Sequence, residues 1–497
     1  MKKGHRALLR WFGTFLCPFF LWANDVTLGG VQWSPPFLSF SIQWAHSWNY
    51  YDSAVPYNFD ACWIFGKYYE NGRWQPLLFS SDSGDYAVSG PLRTLPVDDS
   101  AGFFLMRRVR GEGAVQATVT LRLPAAVPAG APVALFAVEM VYVPPGPFYL
   151  GDGASYYSLR RAADDSPFYV AGPTVPVGSL SCLDNSQYAP PDTIPATYPI
   201  GWNGFFIMKH EISQAAYADF LNFLPPQAQT AHVTASLTDP PGTPAFPQGK
   251  TFRNGLVIEQ PAGGNGPARF GHDFSAVTPV NDTDDGQTRA MNFLNWHDLT
   301  AFLDWAGLRP MTEAEFEKAA RGPLRPVTGE FAWGTPNVVD ANAIVRDGTP
   351  SETHQETIPP GYGIGVHGYA GPSGPLRCGF AARDTTSRRT AGAAYYGAME
   401  LSGNVWEMCV SLRESGVHYI PRHGDGALSD SGTADVLGWP SAAGAVYRGG
   451  GWNSGIFARF RDLAVSDRFY IYLAPNMRRN TTGGRGVRTY PLQKIYP

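Results

Sequence analysis

Charge is what this sequence has least of. Only 16% of its 497 residues are Asp, Glu, Lys or Arg, and the formal net charge is −4. So neutral a chain offers no basic field for a nucleic-acid groove and no polybasic patch for an anionic membrane. Cysteine is scarcer still, with 5 in all and none after Cys409. No Cys-x-x-Cys pair or Cys/His cluster occurs, which removes the usual ligand spacing of structural zinc. The 10 histidines are scattered without helical His-x-x-x-His spacing. Gly-x-Ser-x-Gly is missing as well, and with it any warrant for serine-hydrolase roles. The leading apolar run, Trp11 to Trp22, is shorter than the ~20 residues of a membrane span.

What remains is rich in packing groups and turns. Apolar residues make up 44% of the chain and aromatics 14%, while Gly 55 and Pro 43 point to a turn-rich architecture in which long helices are a minority. The length implies more than one ordinary core. Lys2, Lys3, His5 and Arg10 precede the apolar run, and Ala23 precedes polar Asn24 and Asp25, the order of a signal peptide over 1–23. Export to the periplasm, cell surface or medium is therefore expected, with the membrane touched only through this signal or an anchor. Such a compartment permits disulfides among Cys62, Cys182, Cys378 and Cys409; three pairings are open, as is the alternative of buried thiols.

Residues 24–123 read as short strands between turns. Phe37 to Trp44 alternates, Ala61 to Tyr69 is a β-rich apolar run, and Asn71-Gly72 is a hairpin signal. An all-β sandwich is expected there, followed by an Ala/Pro/Gly-rich linker over 124–137. From 138 to 497 the texture is mixed α+β. Ser213 caps a helix carrying Tyr217, Phe220, Leu221 and Leu224 that ends at Pro225-Pro226; Asn295 opens a second that stops at Gly307; Thr312 to Glu315 is a capping box for a third that stops at Gly322. Segments 225–290 and 345–395 read as loops.

Six stretches in this second part resemble, in order, the formylglycine-generating enzyme or sulfatase-modifying factor family. They are Met140 to Gly151, Phe206 to Ser213, Trp296 through Arg309 to Gly322, Phe331 to Gly334, Glu400 to Glu407, and Tyr447 to Trp452. The resemblance implies that family's loop-rich, C-type-lectin-like α+β fold.

It also locates a loss. Active family members place a copper-binding cysteine pair after the Arg-Gly-Gly strand; behind Arg448-Gly449-Gly450 those positions hold Ser454 and Arg459. A hydroxyl and a guanidinium are not copper(I) ligands. No catalytic residue, copper or iron is expected, the iron-using branch drawing its histidines largely from an additional helical domain. His210 and His297, beside motif cores, read as structural. The family's calcium loop carries over as the side chains of Glu400 and Glu407 with the carbonyls of Gly403 and Val405, oxygen ligands suited to a hard cation. The competing reading is a plain Gly-Asn turn over a packed Trp406, with the glutamates exposed or salt-bridged. Asn342 matches one ligand of a second calcium site, whose downstream aspartate falls near Cys378 to Phe380.

Where the family's substrate groove lies, this chain sets Trp452, Asn453, Ser454, Arg459, Phe469, Tyr470, Tyr472, Asn476 and Arg478. These residue types dominate binding hot spots. The expected function is recognition of a protein or other extracellular ligand by loops 452–480, as in lectin-like receptors of this family diversified by retroelements. A metal-dependent oxidase acting on a thiol or cysteine substrate, and a structural component of an envelope complex, are the competing readings.

Overall fold

The computed structural model describes residues 26–51, 57–124, 127–264, 266–275, 277, 279–368, 371–457 and 460–489. The expected signal over 1–23 and Arg459 lie outside the described residues.

Alternation in the sequence builds the first sheet. Strands β1 (Val26–Ser34) and β2 (Phe37–Asn49) form an antiparallel pair, and β2 buries Leu38, Phe40, Ile42 and Trp44 on one face. Further antiparallel pairing brings β8 (Gly111–Arg122) and then β5 (Tyr86–Val88) alongside.

Continuous apolar runs build the second. Strand β3 (Asp60–Glu70) turns through Asn71 and Gly72, at φ 51° and 81°, into β4 (Arg73–Pro76); two consecutive left-handed residues are the geometry of a tight hairpin. An eight-stranded sheet runs β6 (Leu92–Pro96), β7 (Phe103–Arg107), β3, β9 (Val133–Val143), Phe205–Met208, Gly486–Thr489 and Arg309–Pro310, with β4 paired to β3. Both faces of β3 and β9 are buried. Cys62, Ile64, Leu105 and Leu135 pack against Leu38, Phe40 and Val119 of the four-stranded sheet. Phe65 and Phe136 face the opposite way, with ring centroids 5.1 and 4.9 Å from that of Trp305.

Here the structure departs from the expected linker over 124–137. The chain enters β9 at Val133 and pairs Val133–Val141 with Asp60–Tyr68. The expected boundary at 123 therefore falls within a shared sheet: strands from both sides of it sit side by side. An apolar strand of this length left unpaired would expose a sticky edge, and pairing with β3 removes it.

The helices begin where their caps predict. Ser213 Oγ accepts from Ala216 N ahead of α1 (Gln214–Asn222). Capping boxes at Asn295/Asp298 and Thr312/Glu315 open α3 (Trp296–Trp305) and α4 (Glu313–Arg321), and Gly322 stops the latter at φ 69°. The prolines after α1 do more than end it. Pro226 starts α2 (Pro226–His232), since a residue without an N–H suits the first helical position. The mixed α+β character is as expected, and several small two-stranded sheets carry the loop-rich segments. A three-stranded sheet of Ala445–Arg448, Trp406–Val410 and Thr482–Gly483 frames the region read as functional.

Candidate functional site

Buried ion pairs hold that frame. Glu313 and Glu317, one turn apart on α4, both face inward, where Arg448 donates Nη1 to Glu313 at 2.8 Å and Nη2 to Glu317 at 2.9 Å. Arg468 adds two bonds to Glu313 at 2.7 and 2.8 Å. Burial alone would raise the Glu313 pKa, but Arg468 and Arg448 outweigh it and hold the group at about 2. The Arg-Gly-Gly strand is thereby locked onto α4. Beyond Arg448 the backbone turns through Gly449 and Gly450, at φ 83° and 73°; a Cβ on Gly450 would meet Leu463 Cδ1 at 2.8 Å.

The turn delivers the chain into a cleft of about 360 Å³. Asn453, Ser454, Phe469 and Tyr470 from the expected set line it, together with Asp462, Tyr447, Arg479 and Thr481, which sequence reasoning missed. Ser454 Oγ accepts from Gly451 N at 2.9 Å and hydrogen-bonds to the Asp462 carboxyl. Burial pushes Asp462 up to about 6, against hydrogen bonds from Ser454 and Gly455. Burial raises the Tyr447 pKa, against the guanidinium of Arg479 beside its hydroxyl. Tyr447 alternates with Arg448 along one strand, so the anchored residue and the cleft residue point to opposite sides. Tyr470 stands edge-on to Trp406, centroids 5.0 Å apart. The cleft is thus an aromatic wall facing a hydroxyl, a carboxyl and a guanidinium.

Other expected ligand residues go elsewhere. Arg478 turns inward and grips Asp298 through bonds of 2.7 Å from Nε and Nη2, so it is a structural cation. Trp452 is buried, with its indole N–H on the Asn480 carbonyl at 2.9 Å. Tyr472 and Asn476 are exposed outside the cleft lining.

At the expected calcium loop, Glu400 and Asn404 adopt left-handed backbone, at φ 57° and 65°, around Gly403 at φ 100°. Glu407 is fully buried and holds Arg485 with both oxygens, matching the salt-bridged alternative for that residue. Glu400 accepts from Gly379 N with Oε1, while Oε2 is buried without a hydrogen bond, 3.6 Å from His210 Nδ1. Glu211 sits alongside, accepting from Val405 N and Asn404 Nδ2. Burial, then Glu400 and Glu407, push its carboxyl well up. Asn342 is exposed; its N–H donates to Glu356 Oε1 at 2.8 Å, and its side chain hydrogen-bonds to the Asp340 carboxyl. The Cys378 to Phe380 region expected to face it supplies no carboxylate.

Two further groups of potential ligands occur among the described residues, His232/His297/Asp298 and Asp304/Asp425/Asp435. Their buried members have partners within the chain. Asp298 serves His232 and Arg478, His297 stacks on His232, and Asp304 accepts the backbone N–H of Asp425 and Asp435. Among the described residues no disulfide forms, and Cys62, Cys182, Cys378 and Cys409 are all buried. Burial raises all four thiol pKa values.

The protein is thus a loop-rich α+β domain with a polar, aromatic-walled cleft behind an Arg-Gly-Gly strand. The family model described as "Sulfatase-modifying factor enzyme 1-like domain" matches residues 126–490, and the chain belongs to this family. It is similar to the formylglycine-generating enzyme of Thermomonospora curvata, 30% identical over 135 residues that make up 26% of this chain and 36% of the relative. It is also similar to the formylglycine-generating enzyme of Streptomyces coelicolor, 31% identical over 167 residues, 32% of this chain and 40% of the relative. The matches therefore span about two fifths of the length of these curated relatives.

Proposed function

We propose that this chain is an exported recognition protein whose cleft beside Ser454 binds a protein or other extracellular ligand without oxidising it. One observation carries the reading. At a position where the family resemblance places a thiolate, the cleft presents a serine hydroxyl tied to Gly451 and Asp462, and every described thiol is buried away from it. A soft metal such as copper(I) needs thiolate or comparable donors, and the lining offers hydroxyl, amide, carboxyl and guanidinium groups. The same groups, with Trp406, Phe469 and Tyr470, are the chemistry of adaptable binding surfaces. The experiment is copper(I) titration of the purified protein, with oxygen uptake recorded in the presence of a cysteine peptide. Neither stoichiometric copper binding nor thiol-dependent oxygen consumption is expected; both together would restore the oxidase reading.

In this proposal the domain is a lectin-like scaffold stiffened by calcium at the 400–407 loop. Supporting it is a charge imbalance: Glu211, Glu400 and Glu407 lie buried together while Arg485 occupies both oxygens of Glu407. The excess negative charge calls for a proton or a cation. Glu400 Oε2 would hold the ion, with the Gly403 and Val405 carbonyls; Glu407 fits less well while it holds Arg485. The retroelement version of the proposal predicts a reverse-transcriptase gene and a near-copy of the 450–488 coding segment in neighbouring DNA. Their absence would remove that version and leave the binding reading intact.

A further inference from the structure

Away from this cleft, residues of the stretches 345–355 and 377–383 wall a second cavity, of about 810 Å³. That volume falls in the ~300–1,000 Å³ range of small-molecule sites, large enough for an ion and the group that carries it. Arg346, Arg377, Arg383 and His354 line it. Arg383 donates Nε and Nη2 to Thr353 Oγ1, at 3.3 and 2.9 Å, and also donates to the His354 carbonyl. Arg377 donates to the carbonyls of Glu352, Cys378 and Gly379 at 2.9, 3.1 and 2.7 Å. The acceptors of Arg383 are neutral, so they fix its guanidinium plane without cancelling its charge. The nearby acids are engaged elsewhere, Glu356 by His354 Nδ1 and by the N–H groups of Asn342 and Ala343. Glu352 and Asp347 are shared by Arg253 and Arg289, which leaves Arg346 and Arg383 with no carboxylate ion pair among the described residues.

His354 supplies the second observation. It is 3% exposed; Nδ1 faces Glu356 Oε2 at 3.3 Å, and Nε2 is buried without a hydrogen-bond partner in the described structure. A buried ring nitrogen left without a partner is costly unless an outside group completes it. Arginine forks match the oxygens of phosphate-like anions, and donors from two separate stretches suit an anion whose oxygens point apart better than a planar carboxylate.

We propose that this cavity binds a tetrahedral oxyanion, a phosphate or sulfate monoester, held by Arg346 and Arg383 with His354 completing the hydrogen bonding. The site shares no lining residue with the cleft at Ser454, so the two readings stand or fall separately.

The test is calorimetric titration of the full chain with phenyl phosphate, phenyl sulfate and benzoate at physiological ionic strength, where generic attraction is screened. Saturable binding of at least one of the two esters is expected, with benzoate about tenfold weaker or more. The tighter ester identifies the source of the oxyanion. Arg383→Gln and Arg346→Gln should each weaken binding by about tenfold, and the exposed Arg346 side chain makes the second variant a safe one for folding. Arg73→Gln, which removes an exposed arginine of β4, should leave binding unchanged. No saturable binding of either ester at millimolar concentration, equal binding of benzoate, or an equal loss in Arg73→Gln would overturn the proposal.

Discussion

Arg485 meets Glu407 through two parallel hydrogen bonds, Nε to Oε2 and Nη2 to Oε1, each 2.7 Å long. Both side chains are fully buried, and the guanidinium also donates to the carbonyls of Met208, Lys209 and Met399. One residue thus ties the C-terminal strand to the Phe205–Met208 strand, the 400 loop and the Trp406–Val410 strand. Arg485→Met would leave Glu407 as a buried, unpaired carboxylate. Breaking such a pair from one side costs about 3–5 kcal/mol, whereas replacing both partners by apolar groups is often nearly neutral. Urea denaturation should therefore show Arg485→Met strongly destabilised and Arg485→Met/Glu407→Leu partly recovered. A double variant no more stable than the single one would contradict this account.

Calcium should act on the same neighbourhood from the other side. If the ion joins Glu400 Oε2, it stabilises the folded state by about 2.7 kcal/mol when present at a hundredfold its Kd. Thermal melts in calcium and in chelator should differ, and Glu400→Gln should erase the difference by removing the charge. Equal melting of the native sequence in both buffers removes calcium from the proposal.

Asp467 gives a pH dependence of definite sign. Its Oδ1 accepts from Phe469 N at 2.9 Å, its Oδ2 is buried without a partner, and burial pushes the group up to about 7 from 3.8. Below the unfolded value both states are protonated and the group is neutral in its effect. As pH rises from about 4 towards 7, the folded state holds a proton that the unfolded chain has lost. Stability from this group is lost across that window, by about 1.4 kcal/mol for each pH unit crossed. Asp467→Asn cannot ionise and keeps the acceptor for Phe469. It should gain on the native sequence between pH 5 and pH 8 when both are followed by denaturant titration, and a constant difference would show that the carboxyl does not titrate as described.

Local rules were readable from the residues, and long-range pairing was not. Thr312 to Glu315 announced α4, Asn71-Gly72 announced its hairpin, and the alternation from Leu38 to Trp44 fixed the buried face of β2. Each of these signals acts over a few residues. Val133–Val143 is apolar on both faces, and such a run carries no record of its partner, so its merging with β3 was invisible. The cleft was legible only in outline. Ser454 followed from its offset behind Arg448-Gly449-Gly450, but Asp462 and Arg479 sit on irregular loops with no period to place them. Arg478 has the composition of a binding residue, and only the buried Asp298 beneath it reveals the opposite role.

The shape of the cleft can be tested with a reporter thiol. Cys62, Cys182, Cys378 and Cys409 are each at most 3% exposed, so native protein lacking the first 23 residues should react negligibly with a thiol reagent, and denaturant should release all four. Asn453 lies in the cleft wall with partial exposure, unlike the neighbouring Ser454 at 3%. Asn453→Cys should therefore add one thiol that reacts in the native state, because reactivity follows access and thiolate fraction. With Arg479 lining the same cleft, that thiol should react faster than in an Arg479→Gln background, since a cation in the cleft favours the thiolate. A fast native reaction in the unsubstituted protein would mean that one of the four buried thiols is reachable after all, which would reopen the oxidase reading. A reporter that stays silent until the protein unfolds would mean that the cleft is closed, and the recognition proposal would lose its site.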